Sequence, residues 1–134
     1  MVFHGAVVLF VGLLCGFAAV VETIGGDLIQ WRAAHNALLL AGILLLATAS
    51  TFPAPVLPRR EGTALVLSLI AMAYAFTTAI LIQTATGVRS FGATDSPLLL
   101  LAFVANVVAV LGALVSTGLV AIGARAALKG PQQD

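Results

Sequence analysis

Residues 97–124 read PLLLLAFVANVVAVLGALVSTGLVAIGA, with no Asp, Glu, Lys or Arg in the run. A helix needs about 20 residues, with a range of ~17–25, to cross the hydrocarbon core of a bilayer. This stretch is long and apolar enough to do so. Ser96 offers an N-cap side chain, and Pro97 suits the first helical position because its missing N–H is not needed there. The spacing predicts a helix from Pro97 to about Leu128.

Three further segments read the same way: about Phe3 to Ile24, Arg32 to Thr51, and Gly62 to Thr84. The separators carry the chemistry of helix ends. Gly25-Gly26-Asp27 breaks the first segment, since glycine supplies the backbone conformations that close helices. Pro53-Ala54-Pro55-Val56-Leu57-Pro58 cannot continue a helix, because proline lacks the N–H and clashes with the preceding turn. Arg59-Arg60-Glu61 reads as the polar part of that loop. Thr86 to Ser96, with Gly87, Gly92 and Asp95, forms the third connection. The expected fold is an all-α membrane protein, one four-transmembrane-helix bundle over residues 1–134.

Composition agrees. The chain has 134 residues, 61% hydrophobic and 8% charged, where a soluble domain is about 45–50% apolar and about 25% charged. So few charges cannot cover a water-facing surface, and the excess apolar area must face lipid. Net charge is +1, so there is no basic field for nucleic acid. The single cysteine, Cys15, has no partner for an internal disulfide and reads as a small buried hydrophobe. The first apolar run has no Lys or Arg before Arg32, unlike a secretory leader, and reads as a permanent helix. Four spans put both termini and the middle loop on one side with Arg59, Arg60, Arg125 and Lys129, against Arg32 and Arg89 on the other. The positive-inside rule then places both termini in the cytoplasm.

Polar groups inside such a chain are informative, because each is costly in lipid unless paired. The densest cluster is Trp31-Arg32-Ala33-Ala34-His35-Asn36. Trp31 and His35 are four apart and share a helix face. Trp31 and Arg32 also suit an interfacial belt, and His35 suits either a hydrogen-bonded structural role or ligation. This reading starts the second helix near His35 and the first near His4, on opposite membrane faces. The two imidazoles therefore cannot share one metal, and a haem on His35 would keep an open coordination position. Arg32 and Arg89 lie on the His35 side and suit carboxylate pairing. Tyr74 and Asn106 reach similar depths and could meet near the midplane, with Thr77 and Thr78 near the Tyr74 face. Gly12 and Gly16 have the spacing of close helix packing. No phosphate-cradling loop, paired carboxylates or hydrolytic triad occurs.

The chain also resembles the styrene oxide isomerase family. His4-Gly5 opens the first helix as a His-Gly pair does there, and Gly25-Gly26 lies in the first loop. Trp31-Arg32-Ala33-Ala34-His35 resembles the family's Trp-x-x-Ala-His segment, whose histidine is the haem ligand. Arg89-Ser90-Phe91-Gly92 and the end of the chain, Leu119 to Gly123 and Ala127 to Lys129, also match. The resemblance implies a small bacterial inner-membrane protein that binds haem b, assembles as a trimer and isomerises lipophilic epoxides to aldehydes. Within it His35 is the metal ligand, and Trp31, Arg32 and Arg89 surround the cofactor. Three positions depart: Ala41 stands where the family has a functional asparagine, Leu81 near its functional tyrosine, and Ala73 near an aspartate. Asn36 and Tyr74 could substitute for those groups in space, and Asn106 is a further candidate catalytic residue as part of an internal pocket. A different reading is an accessory or structural subunit of a membrane complex without a cofactor.

Overall fold

The computed structural model describes residues 1–21, 27–51, 57–88 and 96–128. Four helices account for nearly all of them: α1 Val2–Val20, α2 Leu28–Thr51, α3 Arg59–Thr86 and α4 Pro97–Leu128. Each is long and apolar enough to cross a membrane, and no strand occurs among the described residues. The protein is an integral, all-helical membrane protein.

The fourth helix matches its expected bounds, and the other three differ for identifiable reasons. Helix α1 ends at Val20; Glu22 and the Gly25-Gly26 pair fall outside the described residues. Helix α2 begins at Leu28, four residues before the expected Arg32. Its cap is Asp27, whose Oδ1 accepts a hydrogen bond from the Ile29 N–H at 2.9 Å. The Asp27 carbonyl accepts from the Trp31 N–H at 3.0 Å. Asp27 thus opens α2 as an N-cap, where the sequence reading used it to close α1. One consequence bears on the site: His35 is seven residues inside α2, or ~10 Å along the axis from Leu28, and not at its start.

Helix α3 begins at Arg59, so Arg59, Arg60 and Glu61 form its first turn and are not loop. Pro58 precedes it, and its carbonyl accepts from the Gly62 N–H at 2.9 Å. Glu61 in that turn complements the positive end of the helix dipole. Gly87 closes α3 in the left-handed region at φ 70°, which glycine enters without steric cost.

The helices pair as two antiparallel hairpins. Along α1 and α2, Gly5 faces Gly42 and Leu46, Gly12 faces Leu38 and Leu39, and Gly16 faces His35. Along α3 and α4, Gly112 faces Ser68 and Met72. Contacts between the hairpins are sparser: α2 meets α3, α1 touches α3, and α4 packs on α3 alone. The buried core is small-residue rich, with Ala34, Ala73, Ala79, Ala102, Ala105 and Ala109 beside Val8, Leu38, Leu45, Leu65 and Leu69. Large side chains such as Phe10, Leu13, Phe17, Leu111 and Leu114 are exposed. In lipid no hydrophobic drive pulls such groups inward, and helices associate by close packing of small residues instead.

Gly42 tests this packing. A Cβ there would come within 2.6 Å of Leu9 Cγ, 2.9 Å of the Leu9 backbone nitrogen and 3.0 Å of the Gly5 carbonyl oxygen. Backbone cannot swing aside, so Gly42→Ala should cost about 1–3 kcal/mol, the usual range for overpacking. Gly62→Ala, with nothing within 4 Å of the added carbon, should leave stability unchanged or slightly higher. Reversible unfolding in mixed micelles compares the two.

Candidate functional site

The polar side chains inside the spans fall into separate places. The first centres on His35. Its Nδ1 lies 2.8 Å from the carbonyl oxygen of Gly12. A carbonyl can only accept, so Nδ1 carries the proton and donates it. Neutral imidazole has a single N–H, which leaves the Nε2 lone pair uncommitted. Nε2 has no hydrogen-bond partner among the described residues. His35 is half-buried, and it lines a groove of about 460 Å³ together with Arg32 and the apolar surface of Leu13, Gly16, Phe17, Ala19 and Val20.

Helix periodicity explains the grouping. Arg32 and His35 are three apart on α2 and lie on one face. Arg32 is one turn closer to the start of α2, so its cation sits on the aqueous side of the imidazole. Trp31 is half-buried and packs against the core, so it braces α2 and does not line the groove. Asn36 is exposed and lies outside the groove lining. Arg89 falls outside the described residues.

The second place joins the hairpins. The Tyr74 hydroxyl and His4 Nδ1 share a hydrogen bond of 3.0 Å, and the rings meet edge to face with centroids 5.7 Å apart. Tyr74 is therefore engaged with α1. Asn106 is on α4, and its amide nitrogen is buried with no hydrogen-bond partner among the described residues. The expected meeting of Tyr74 with Asn106 is thus replaced by a Tyr74–His4 bond. Thr77 is buried and returns its hydroxyl to the Ala73 carbonyl at 2.7 Å, while Thr78, one turn from Tyr74, is exposed as Tyr74 is; Thr77 alone turns into the core.

The two histidines stay apart. His35 sits over Gly16, twelve residues along α1 from His4, which is ~18 Å of helix. That is less than the full membrane thickness expected from sequence, yet still too far for one metal. Among the described residues no three His, Cys, Asp or Glu side chains gather as a metal cluster, and Cys15 is buried and free. A larger groove of about 670 Å³ lies toward the other end of the first hairpin, lined by Thr48, Leu57, Arg59, Leu65 and Val66 among others. Its lining contains no imidazole, thiol or carboxylate.

The positions of family departure are apolar in space as well as in sequence. Ala73 belongs to the buried core, and Ala41 and Leu81 pack against it. None supplies a polar group.

Fold and site together define a class: a small four-span membrane protein that presents one tautomer-fixed imidazole beside an arginine in an apolar groove. A family model of styrene oxide isomerase matches residues 1–125. The chain belongs to the styrene oxide isomerase family. Neither the curated proteins nor the solved structures yield a match.

Removing the inter-hairpin bond has a definite expected size. Interhelical hydrogen bonds in membranes contribute about 0.6 kcal/mol on average, with a maximum of ~1.7. Tyr74→Phe should lose an amount in that range without loss of helix content. Unfolding in mixed micelles measures it, and a double-mutant cycle with His4→Ala isolates the pairwise part.

Proposed function

We propose that this protein isomerises a small lipophilic epoxide to the corresponding carbonyl compound, using a haem b held by His35 Nε2. The observation that carries the reading is the bond from His35 Nδ1–H to the Gly12 carbonyl. It leaves Nε2 unprotonated, as metal ligation by a neutral imidazole requires. Family membership supports the isomerase chemistry.

The residues present fit the cofactor. His35 would supply one nitrogen ligand, and His4 lies too far along α1 to supply a second. Arg32 lies one turn closer than His35 to the start of α2 and suits pairing with a propionate carboxylate. Arg89 is proposed as a second carboxylate partner on the grounds of its place in the chain. When bound, ferric haem would supply a Lewis acid for the epoxide oxygen. The chain does the rest. Leu13, Phe17 and Val20 line the groove with hydrocarbon, which suits a lipophilic substrate arriving from the bilayer. The same wall keeps water away from the carbon of the opening C–O bond, which favours internal rearrangement over hydrolysis.

The groove opens on the outer face of the first hairpin, flanked by exposed Leu13, Phe17 and Val20. A homo-oligomer, a trimer by family resemblance, would cover that face. The distribution of Arg59, Arg60 and Arg125 supports cytoplasmic termini, in a bacterial inner membrane by the same resemblance. Asn36, Tyr74 and Asn106 are not in the lining of the His35 groove, so within one chain the proposed substrate site consists of Arg32, His35 and the apolar wall.

An optical spectrum and a turnover assay test the proposal. The purified protein should show a Soret band, and His35→Ala should abolish it. Arg32→Ala should weaken haem affinity while retaining the band at high haem concentration. With haem loaded, aryl or alkyl epoxides should give aldehyde or ketone. An unchanged Soret band in His35→Ala removes the ligand assignment. Full haem loading without product would leave a haem-binding protein that is not an isomerase, and a colourless protein held within a larger complex would favour an accessory subunit.

A further inference from the structure

Gly12 and Gly16 stand one turn apart on α1, the spacing usually read as a surface for close helix packing. Here the two glycines have different neighbours. A Cβ on Gly12 would meet Leu38 Cβ and the Leu39 backbone nitrogen, both at 3.1 Å, so Gly12 lets α2 approach. The three atoms nearest a Cβ on Gly16 would all belong to the His35 ring: Nδ1 at 2.5 Å, Cε1 at 2.7 Å and Cγ at 3.1 Å. The imidazole is thus the nearest occupant of the space that Gly16 leaves open, where at Gly12 the nearest atoms include α2 backbone.

We propose that Gly12 and Gly16 form a seat for the His35 imidazole, in which Gly16 admits the ring and the Gly12 carbonyl fixes its tautomer, making both glycines positioning residues for the iron ligand. The proposal rests on the reading of His35 as that ligand. Within α1 the Gly12 carbonyl already faces the N–H of residue 16 in the ordinary helical pattern. It retains a second lone pair, and the His35 ring reaches it through the position a Cβ at residue 16 would occupy. Glycine at 16 is therefore the condition for the 2.8 Å bond from Nδ1.

The nature of the acceptor also matters. A carboxylate on Nδ1 would draw the proton strongly and make the ring a more basic ligand. A neutral carbonyl that is already shared within its helix draws weakly. Iron held by such a ring would receive less electron density than from a ring paired with a carboxylate, and would be the stronger electron-pair acceptor. That is the property polarisation of an epoxide oxygen requires.

Two measurements on the full-length protein test the seat, and the first needs no haem. Nitrogen-15 NMR of histidine-labelled protein, made without cofactor and kept in micelles at a pH where the imidazole is neutral, should show His35 protonated on Nδ1. Gly16→Ala should remove that preference and weaken haem affinity about 10- to 100-fold, the usual scale for loss of a partner that orients a metal ligand. His35 protonated on Nε2 in the unaltered protein would overturn the proposal, as would a Gly16→Ala variant with unchanged tautomer and haem affinity. If Gly16→Ala fails to fold, the double variant Gly16→Ala/His35→Ala decides. The ring that clashes is gone there, so it should fold as well as His35→Ala alone. A double variant that also fails would assign Gly16 to helix packing and refute the seat. Nδ1 protonation with no haem uptake at all would instead bring down the cofactor reading, and with it the seat's role in supporting a ligand.

Discussion

The bond from His35 Nδ1 to the Gly12 carbonyl ties the fold to the chemistry. It forms only because α1 and α2 run close together, and they do so because glycines line the contact. Gly5 faces Gly42, Gly12 faces Leu38, and Gly16 faces the imidazole itself. Lipid gives no hydrophobic drive for association, so this close approach is what holds the hairpin together. One line of small residues therefore both fastens two spans and sets the orientation of a titratable ring in an apolar environment.

The second hairpin contributes differently. Helices α3 and α4 pack tightly on one another, and they meet the first hairpin through a thinner contact that includes the His4–Tyr74 bond. Among the described residues, no other helix covers the outer face of α1 and α2. That face carries the groove with Arg32 and His35. A site open to lipid suits a substrate that partitions into the bilayer, and it leaves room for another subunit beside it.

Much of this was legible in the sequence, and the gaps have physical causes. Hydropathy and proline placement located four spans, and Ser96-Pro97 set the start of α4. The Trp31 to His35 segment pointed to the imidazole and to Arg32, which the structure places in one groove. The start of α2 was missed because Asp27 follows two glycines: adjacent breaking and capping signals look alike without the backbone geometry that separates them. That error placed His35 near the start of α2, where the structure has it seven residues inside the helix. Tyr74 was paired with the wrong partner, because depth along a helix can be read from sequence while its rotation toward one neighbour cannot. The spacing of Gly12 and Gly16 was visible, but what filled the space above each glycine depends on the register of the opposite helix.

The central claim is that His35 Nε2 is the sole protein attachment for haem iron in each chain. A cryo-electron microscopy map of the protein in lipid nanodiscs, prepared with its native cofactor content, tests it most directly. The account predicts planar density joined to His35 Nε2, carboxylates near Arg32, and Nδ1 on the Gly12 carbonyl. A ring facing lipid or another backbone carbonyl, with no cofactor density beside it, would contradict it.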